Sequence, residues 1–227
     1  MAGSIGKLLI ANRGEIACRI ARTASTLGID TVAVYGAEDA NARHLEVVDE
    51  AVRIGDERDG SPYLDGAAII AAAERVGADA IHPGYGFLAE NADFAQAVAD
   101  AGLIWVGPPP EVMRSMADKD VAKERARSAS IAVVAGVEGR ELDDAALIEA
   151  ADSLGYPVLV KAVAGGGGRG MRVANDSEQL TEALPLARAE AQQAFGDGGL
   201  LLERYIERGR HIEVQIFADE AGNVVHL

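Results

Sequence analysis

The chain has 227 residues, a formal net charge of −15 and an isoelectric point near 4.6, which argues against a nucleic-acid-binding surface because such surfaces are basic. No apolar run approaches the roughly 18 residues that a membrane helix needs, and the N-terminus lacks the apolar core of a signal peptide. A single cysteine, Cys18, excludes an internal disulfide and predicts a reducing, cytoplasmic compartment.

Short apolar runs alternate with amphipathic stretches over residues 1–107. The runs predict five strands: Leu8–Ala11, Thr31–Tyr35, Ala51–Ile54, Ala80–His82 and Leu103–Val106. The amphipathic stretches predict three helices: Glu15–Leu27, Leu64–Val76 and Ala92–Ala101. Such alternation is typical of an α/β domain with a parallel sheet covered on both faces. Ligands of these sheets lie at the carboxyl ends of the strands, where the loops are residues 12–15 and 83–87.

The first of these loops does not have the pattern of a dinucleotide site. It contains one glycine, Gly14, whereas a dinucleotide-binding turn requires G-x-G-x-x-G. Two roles remain open for its charged residues: Arg13 and Glu15 either form an ion pair that caps the helix or face the ligand crevice.

A stiff segment, Gly107–Pro110, marks a domain boundary because proline interrupts helices and strands, so the domains are expected at 1–110 and 111–227. The second domain mixes helices and strands (α+β). Its predicted helices are Glu111–Ser128, Asp143–Leu154 and Ser177–Phe195, with Ser177 as N-cap and a kink at Pro185. Its predicted strands are Val158–Lys161, Met171–Val173, Leu200–Ile206, His211–Phe217 and Val224–Leu227.

A glycine tract at residues 165–170 follows the strand that ends in Lys161. Glycine leaves nothing to bury and loses the most entropy on folding, but successive amide groups without side chains can cradle phosphate oxygens. The lysine precedes the glycines, so the tract is not a P-loop; a disordered linker is the alternative. Lys161 itself requires an anionic partner, either a ligand phosphate or a carboxylate of the protein.

Three weaker signals accompany the tract. The segment Leu202–Ile206 can offer main-chain groups to an adenine edge while Leu202 and Ile206 cover its face, although an ordinary strand end has the same pattern. Lys119 taken alone is a solvated helix lysine, and His211 either lies on an exposed strand or reaches a nucleotide. The four histidines show no metal-ligand spacing.

Three segments together carry a family resemblance: residues 10–17 (IANRGEIA), residues 82–91 (HPGYGFLAEN), and residues 155–161 (GYPVLVK) with residues 165–171 (GGGGRGM). They resemble biotin carboxylase, the ATP-dependent component of acetyl-CoA, propionyl-CoA and pyruvate carboxylases, over essentially the whole chain. The resemblance implies a Rossmann-like pre-ATP-grasp domain, then an incomplete ATP-grasp domain whose glycine tract closes over the triphosphate.

The resemblance also implies roles for individual residues. Tyr85 and Gly86 would line the side where biotin and bicarbonate meet, and Arg22 would lie in a dimer interface. Residues implied in ATP binding are Lys119, Lys161, Gly165, Gly166, Gly167, Gly168, Glu203, Arg204, Tyr205, Ile206 and His211.

The implied reaction has two steps: ATP phosphorylates bicarbonate to carboxyphosphate, whose breakdown delivers CO₂ to biotin. ATP and Mg²⁺ are the implied cofactors, with biotin as a carrier-bound substrate. The implied partners are a biotin carboxyl carrier, a carboxyltransferase and a second copy of the chain in a homodimer. The family's magnesium ligands and carboxylation-site arginine are expected beyond Leu227. No catalytic or metal-binding residue is therefore assigned here, and residues 1–227 alone are expected not to turn over ATP.

Two other functions remain open. One is a non-catalytic nucleotide-binding or assembly module; the other is a different ATP-grasp ligase, such as a carbamoyl-phosphate synthetase domain or a purine-pathway carboxylase. The acyl-CoA or keto acid that is finally carboxylated is not predicted, because a separate carboxyltransferase selects it.

Overall fold

The computed structural model describes residues 4–55, 61–117, 119–139, 141–164, 171–219 and 221–227. The side chains of residues 119, 120 and 139 lie outside this description. Contacts divide the chain into two compact units, Met1–Arg114 and Ser115–Leu227. None of the helices in the described parts of the chain is long and apolar enough to cross a membrane.

A five-stranded parallel sheet forms the centre of the N-terminal unit, with strand order β3-β2-β1-β4-β5. The strands are β1 (Lys7–Ile10), β2 (Asp30–Tyr35), β3 (Glu50–Arg53), β4 (Ala80–His82) and β5 (Ile104–Trp105). The helices are α1 (Gly14–Thr26), α2 (Gly66–Val76) and α3 (Ala92–Asp100). This order is that of doubly wound α/β folds, so the predicted parallel α/β sheet is confirmed.

Both faces of this sheet are covered because successive strand residues point to opposite sides. Leu9 belongs to the apolar cluster that includes Ile69 of α2 and Phe94 of α3. Its neighbours Leu8 and Ile10 belong to the cluster formed with α1. The continuous apolar runs read in the sequence are therefore strands buried on both faces.

Local signals set the helix ends within one or two residues of the predicted positions. The helix α2 begins at Gly66 rather than Leu64, because the Asp65 carboxylate accepts a hydrogen bond from the Ala68 N–H at 2.9 Å and acts as N-cap. Residues Pro62–Leu64 form a 3₁₀ turn instead. Gly77, with φ of 65°, ends the helix in the left-handed conformation.

The C-terminal region is built on a four-stranded antiparallel sheet with strand order β6-β9-β7-β8. Its strands are β6 (Gly136–Gly139), β7 (Val158–Ala162), β8 (Arg172–Ala174) and β9 (Leu200–Arg204). A separate antiparallel hairpin consists of β10 (Ile216–Ala218) and β11 (Val224–His226). The helices from Pro110 onward are α4 (Pro110–Ala117), α5 (Lys119–Ser128), α6 (Asp144–Leu154) and α7 (Ser177–Phe195).

One apolar core joins this sheet to α6 and α7. Leu200 and Leu202 of β9 and Val160 of β7 pack in it against Leu147 of α6 and Leu184 of α7. All five side chains are fully buried. The core therefore covers one face of the sheet and leaves lysine and glutamate positions of β7 and β9 on the other.

Two predicted strands differ from the structure. Of the predicted strand His211–Phe217, only Ile216 and Phe217 lie in a strand, which continues to Ala218; residues 211–215 are irregular and exposed. Alternation indicates a strand only where one face is buried, and here neither face is. The predicted strand Leu200–Ile206 ends at Arg204. The strand β6 was not predicted, because Gly136–Gly139 contains two glycines and gains its place by pairing with β9.

The N-cap of α7 was also predicted wrongly. Asp176, not Ser177, has extended backbone and accepts the Gln179 N–H at 2.8 Å. Either residue type can cap a helix, and the conformation at the turn decides between them. The helix is one element across Pro185; the kink at that residue stays a prediction.

Candidate functional site

Two lysines meet one buried carboxylate in the C-terminal sheet. Lys161 Nζ donates to Glu203 Oε2, and Lys123 Nζ lies 2.5 Å from Glu203 Oε1. The side chains of Lys161, Lys123 and Glu203 are 22%, 14% and 11% exposed, respectively. The cluster is thus partly shielded from water and carries a net charge of +1 when all three groups are ionised.

Strand register brings two of the three residues together. Lys161 of β7 pairs with Leu201 of β9, and Glu203 lies two residues further along β9. Residues two apart point to the same side of a strand, so Lys161 and Glu203 are diagonal neighbours on one face. Because Leu200 and Leu202 fill the core on the opposite face, the charged pair lies on the face away from α6 and α7.

The lysines control the charge of Glu203. Burial by itself would raise the pKa of this carboxyl group, but the hydrogen bonds and positive charges of Lys123 and Lys161 outweigh burial and lower it. The carboxylate therefore stays ionised at neutral pH. The sequence left open whether the anionic partner of Lys161 is a ligand phosphate or a protein carboxylate. In this structure the partner is the Glu203 carboxylate, and a phosphate would have to compete with that carboxylate.

Some main-chain N–H groups after Glu203 already donate hydrogen bonds within the fold. The Arg204 N–H donates to the Ala135 carbonyl at 2.8 Å, and the Tyr205 N–H donates to the Pro157 carbonyl at 2.9 Å. These two N–H groups are committed within the fold. Any amide that a base edge meets in this segment must therefore lie at Ile206 or later.

Two further predictions concern the same segment. Leu202 is fully buried in the core, so the prediction that it covers an adenine face is wrong. Ile206 is 58% exposed and free to contact a base. His211 lies on irregular backbone, not on a strand, and its exposed side chain approaches Glu213, with 3.1 Å between Nε2 and Oε1.

Part of the predicted site lies outside the described residues. This holds for the whole glycine tract, including Gly165, Gly166, Gly167 and Gly168, and for the side chain of Lys119. The backbone of α5 begins at Lys119, which puts it one helical turn before Lys123. Lys123 was missed by the sequence reading. The signal that could have found it is this four-residue spacing from Lys119, which places both lysines on one face of α5.

In the N-terminal unit, Asn12 links the loops that follow β1 and β4. The side chain is 3% exposed, and its Nδ2 donates to the carbonyls of Pro83 at 2.7 Å and Tyr85 at 2.8 Å. A side chain at Gly84 would place its Cβ 2.8 Å from that same nitrogen. Strand order reverses between β1 and β4, where doubly wound folds usually bind ligands. Asn12 and Gly84 fill the space between these two loops.

Each charged residue of the first loop has a partner elsewhere in the unit. The Arg13 guanidinium pairs with Asp39 at 3.0 Å, and the Glu15 carboxylate accepts a hydrogen bond from the Tyr85 hydroxyl. The interpretation of Arg13 and Glu15 as an ion pair is therefore wrong. The Glu15 contact raises the pKa of Tyr85 through its hydrogen bond and charge.

An aromatic pair supports the same edge of the sheet. The rings of Tyr63 and Phe87 are 5.0 Å apart, and the Arg13 guanidinium lies 5.5 Å and 5.8 Å from their centroids. Phe87 has φ of 42° and Gly86 has φ of 68°. Phe87, two residues after Tyr85, is thus packed against Tyr63 and Arg13, while the Tyr85 side chain itself is 62% exposed.

No group of three or more His, Cys, Asp or Glu side chains in the described part of the chain could hold a metal ion. The described residues therefore do not fit Mg²⁺ as its ligand set. Two lysines, Lys161 of β7 and Lys123 of α5, are instead gathered at one carboxylate in a chain of net charge −15.

The fold and these sites define a class: an α/β domain followed by a nucleotide-binding domain of the ATP-grasp type. Residues 4–113 match the N-terminal domain of biotin carboxylase, and residues 118–227 match the ATP-binding domain of the carbamoyl-phosphate synthase L chain. With both matches in this order, the chain belongs to the biotin carboxylase family.

Named relatives agree with this assignment. The chain is 50% identical to the mitochondrial methylcrotonoyl-CoA carboxylase subunit alpha of Glycine max, covering 98% of this chain and 30% of the relative. It is 47% identical to biotin carboxylase 1 of Bacillus subtilis, covering 98% of this chain and 50% of the relative. The chain thus spans half or less of the length of these relatives.

A solved structure provides the corresponding comparison of folds. The biotin carboxylase domain dimer of Hydrogenobacter thermophilus 2-oxoglutarate carboxylase, in complex with MgADP, ADP and bicarbonate, has a TM-score of 0.93 and 45% sequence identity. The match covers 99% of this chain and 49% of that one.

Proposed function

We propose that this chain supplies the nucleotide-binding part of a ligase that uses ATP and bicarbonate to carboxylate carrier-bound biotin through carboxyphosphate. The observation that carries the proposal is the pair of lysines on the buried Glu203, in a chain of the biotin carboxylase family. The relatives are at least twice as long, so the complete reaction is proposed for the whole protein.

The cationic face of the C-terminal sheet is the proposed phosphate site. Lys161 would contact a phosphate together with Lys119. A phosphate about 4 Å from the Lys161 ammonium would gain roughly 4 kcal/mol at an effective dielectric constant of 20, before the cost of desolvation is subtracted. Amide groups of Gly165–Gly168 would face the same phosphates, because glycine lets the main chain approach an anion closely.

The segment after β9 is the proposed base site. Glu203, Arg204, Tyr205 and Ile206 would surround the adenine, with Ile206 as the exposed apolar contact and its main chain as the polar one. His211 would reach the nucleotide from the irregular segment that follows. Glu203 itself acts through its carboxylate, which holds the two lysines.

In the N-terminal unit, Tyr85 and Gly86 are proposed to line the side where biotin and bicarbonate meet. An exposed aromatic ring held by a hydrogen bond is suited to binding a flat apolar group, because little side-chain entropy remains to be lost. Magnesium would supply charge neutralisation at the transferred phosphoryl group. The described residues do not provide its ligands, and no step is assigned to it.

The domain division and the partners belong to the same proposal. Residues 1–110 are taken as the pre-ATP-grasp domain and residues 111–227 as the first part of the ATP-grasp domain. The proposed partners are a biotin carboxyl carrier, a carboxyltransferase and a second copy of the chain. The second copy would form a homodimer through Arg22, on the exposed side of α1. The cytoplasmic compartment expected from the single cysteine remains a prediction.

Titration of MgATP into the 227-residue chain tests the nucleotide site. We expect binding that Lys161→Met weakens and that Lys7→Met does not, because Lys7 pairs with Glu50 in the N-terminal unit. Equal affinities in both variants, or no binding by the unaltered chain, would contradict the proposal.

The reaction is tested on the whole protein. We expect ATP hydrolysis that requires bicarbonate and is stimulated by free biotin, whereas residues 1–227 alone bind nucleotide without turnover. A non-catalytic nucleotide-binding module is the second candidate. It would be supported if the whole protein bound ATP and did not hydrolyse it. Hydrolysis that is indifferent to biotin would indicate a different ligase of the same fold.

A further inference from the structure

Lysine is rare in this chain, and two of its four lysines share one carboxylate. Only Lys7, Lys119, Lys123 and Lys161 occur, while the remaining basic residues are arginines. Lys123 and Lys161 meet at Glu203, although they are contributed by α5 and β7. Lys119 begins the same helix one turn earlier. Lysine carries a compact charge on a flexible stem and changes partners more readily than the planar arginine group.

Each oxygen of the Glu203 carboxylate has its own lysine. Oε1 is held by Lys123 at 2.5 Å and Oε2 by Lys161. The Lys161 side chain is the more exposed of the two lysines, at 22% compared with 14%. An entering anion therefore reaches Lys161 more easily, while Lys123 lies deeper beside the carboxylate.

The double pairing has a consequence for phosphate binding. If Lys161 turns to a phosphate, Glu203 loses one cation and lies near a polyanion. A buried carboxylate without a partner is strongly unfavourable, but Lys123 still neutralises it. Without Lys123 the cluster would be neutral, and Glu203 would compete with the phosphate for its single remaining cation.

We propose that Lys123 is a positioning residue of the nucleotide site, which holds the Glu203 carboxylate so that Lys161 is available to a phosphate. This inference rests on the proposed nucleotide function of the same site. It adds Lys123 to the site, and it gives the Glu203 carboxylate a role in making Lys161 available.

The experiment measures MgATP affinity by calorimetric titration of the 227-residue chain. Lys123→Met is expected to weaken binding about 10- to 100-fold, the equivalent of one charge-assisted hydrogen bond. The double variant Lys123→Met with Glu203→Gln is expected to return to within about twofold of the unaltered chain, because the neutral amide neither needs Lys123 nor retains Lys161. Glu203→Gln alone is expected to bind more tightly than the unaltered chain, because the neutral amide no longer holds Lys161.

Arg127→Met is the matched control, because Arg127 lies one turn after Lys123 on α5 and pairs with an exposed carboxylate, Glu138, at 2.6 Å. It is expected to leave the affinity unchanged. The inference is overturned if Lys123→Met binds normally, or if the double variant stays as weak as Lys123→Met, which would make Lys123 a direct ligand. If Lys123→Met does not fold, unchanged or weaker binding by Glu203→Gln overturns it. Absence of binding by the unaltered chain overturns the nucleotide function and this inference together.

Discussion

Replacing Asn12 by alanine tests how strongly the loops after β1 and β4 are joined. Its side chain makes three hydrogen bonds: to the carbonyls of Pro83 and Tyr85 at 2.7 and 2.8 Å, and from the Arg13 N–H at 2.9 Å. Each is worth roughly 0.5–1.5 kcal/mol, and a buried carbonyl left unpaired costs about 1–3 kcal/mol more. Allowing for partial relaxation, Asn12→Ala should lower the free energy of unfolding of the N-terminal unit by about 2–4 kcal/mol.

Urea unfolding followed by tryptophan fluorescence measures this loss in the correct unit. Trp105 is the only tryptophan of the chain and lies in β5, 5.6 Å from the ring of Phe94. With a slope of roughly 1–3 kcal/mol per molar urea, the midpoint should fall by about 1–2 M. Asn91→Ala is the matched control, because it removes a single N-cap hydrogen bond, which Asn91 Oδ1 accepts from the Phe94 N–H at 2.9 Å. Its loss should lower the free energy of unfolding by only about 1 kcal/mol.

The comparison of the two asparagines decides the outcome. If Asn12→Ala shifts the midpoint no more than Asn91→Ala, the reasoning from buried hydrogen bonds fails, and the loops are held by other contacts. Asn12→Asp adds a pH test. The introduced carboxylate faces two carbonyl oxygens at neutral pH, but a protonated carboxyl can donate to one of them. The deficit relative to the unaltered chain should therefore shrink as the pH falls.

Three further outcomes are expected from the same unit. Gly84→Ala should destabilise it by about 1–3 kcal/mol in urea unfolding, since φ is +66° and the new Cβ would lie 2.8 Å from the Asn12 amide; an unchanged midpoint would contradict this. Tyr63→Phe should cost about 1–2 kcal/mol, because the Tyr63 hydroxyl donates to Asp39 at 2.6 Å and its residue is 2% exposed. Burial raises the pKa of Asp39, but hydrogen bonds from Tyr63 and Arg13 lower it overall. Asp39 should therefore stabilise the fold above its unfolded pKa of about 4 and lose that effect as the pH falls further. Asp39→Asn should flatten acid-unfolding curves below that pH, and equal slopes would refute the assignment.

Much of the N-terminal fold could be predicted because its signals are local. Apolar runs of four to six residues alternate with helices that are followed by a glycine of positive φ, Gly28 or Gly77. This pattern indicates parallel strands without any knowledge of distant contacts. The same reasoning fails for β6, whose glycines have no strand propensity of their own. That strand forms because Gly136 lies opposite Glu203 on a neighbouring strand.

For the candidate site, the sequence identified Lys161 and Glu203 but not their relation. Lys161 at the end of an apolar strand requires an anion, which elementary electrostatics dictates. That the anion is Glu203 follows only from the register of β7 against β9. Lys123 precedes Glu203 by eighty positions, and the spacing of Lys123 from Lys119 does not show that its ammonium meets the Glu203 carboxylate.

The sequence alone thus determined the strands and helices of the N-terminal unit and their alternation, since these depend on residues within a few positions of one another, and the role of the glycine tract beside Lys161 stays a prediction. Tertiary structure alone decided that Lys123 shares the Glu203 carboxylate and that Asn12 joins the loops after β1 and β4. The physical reason is that hydrogen bonds and ion pairs act over a few ångströms of space, and only the folded sheet brings such distant positions within that range.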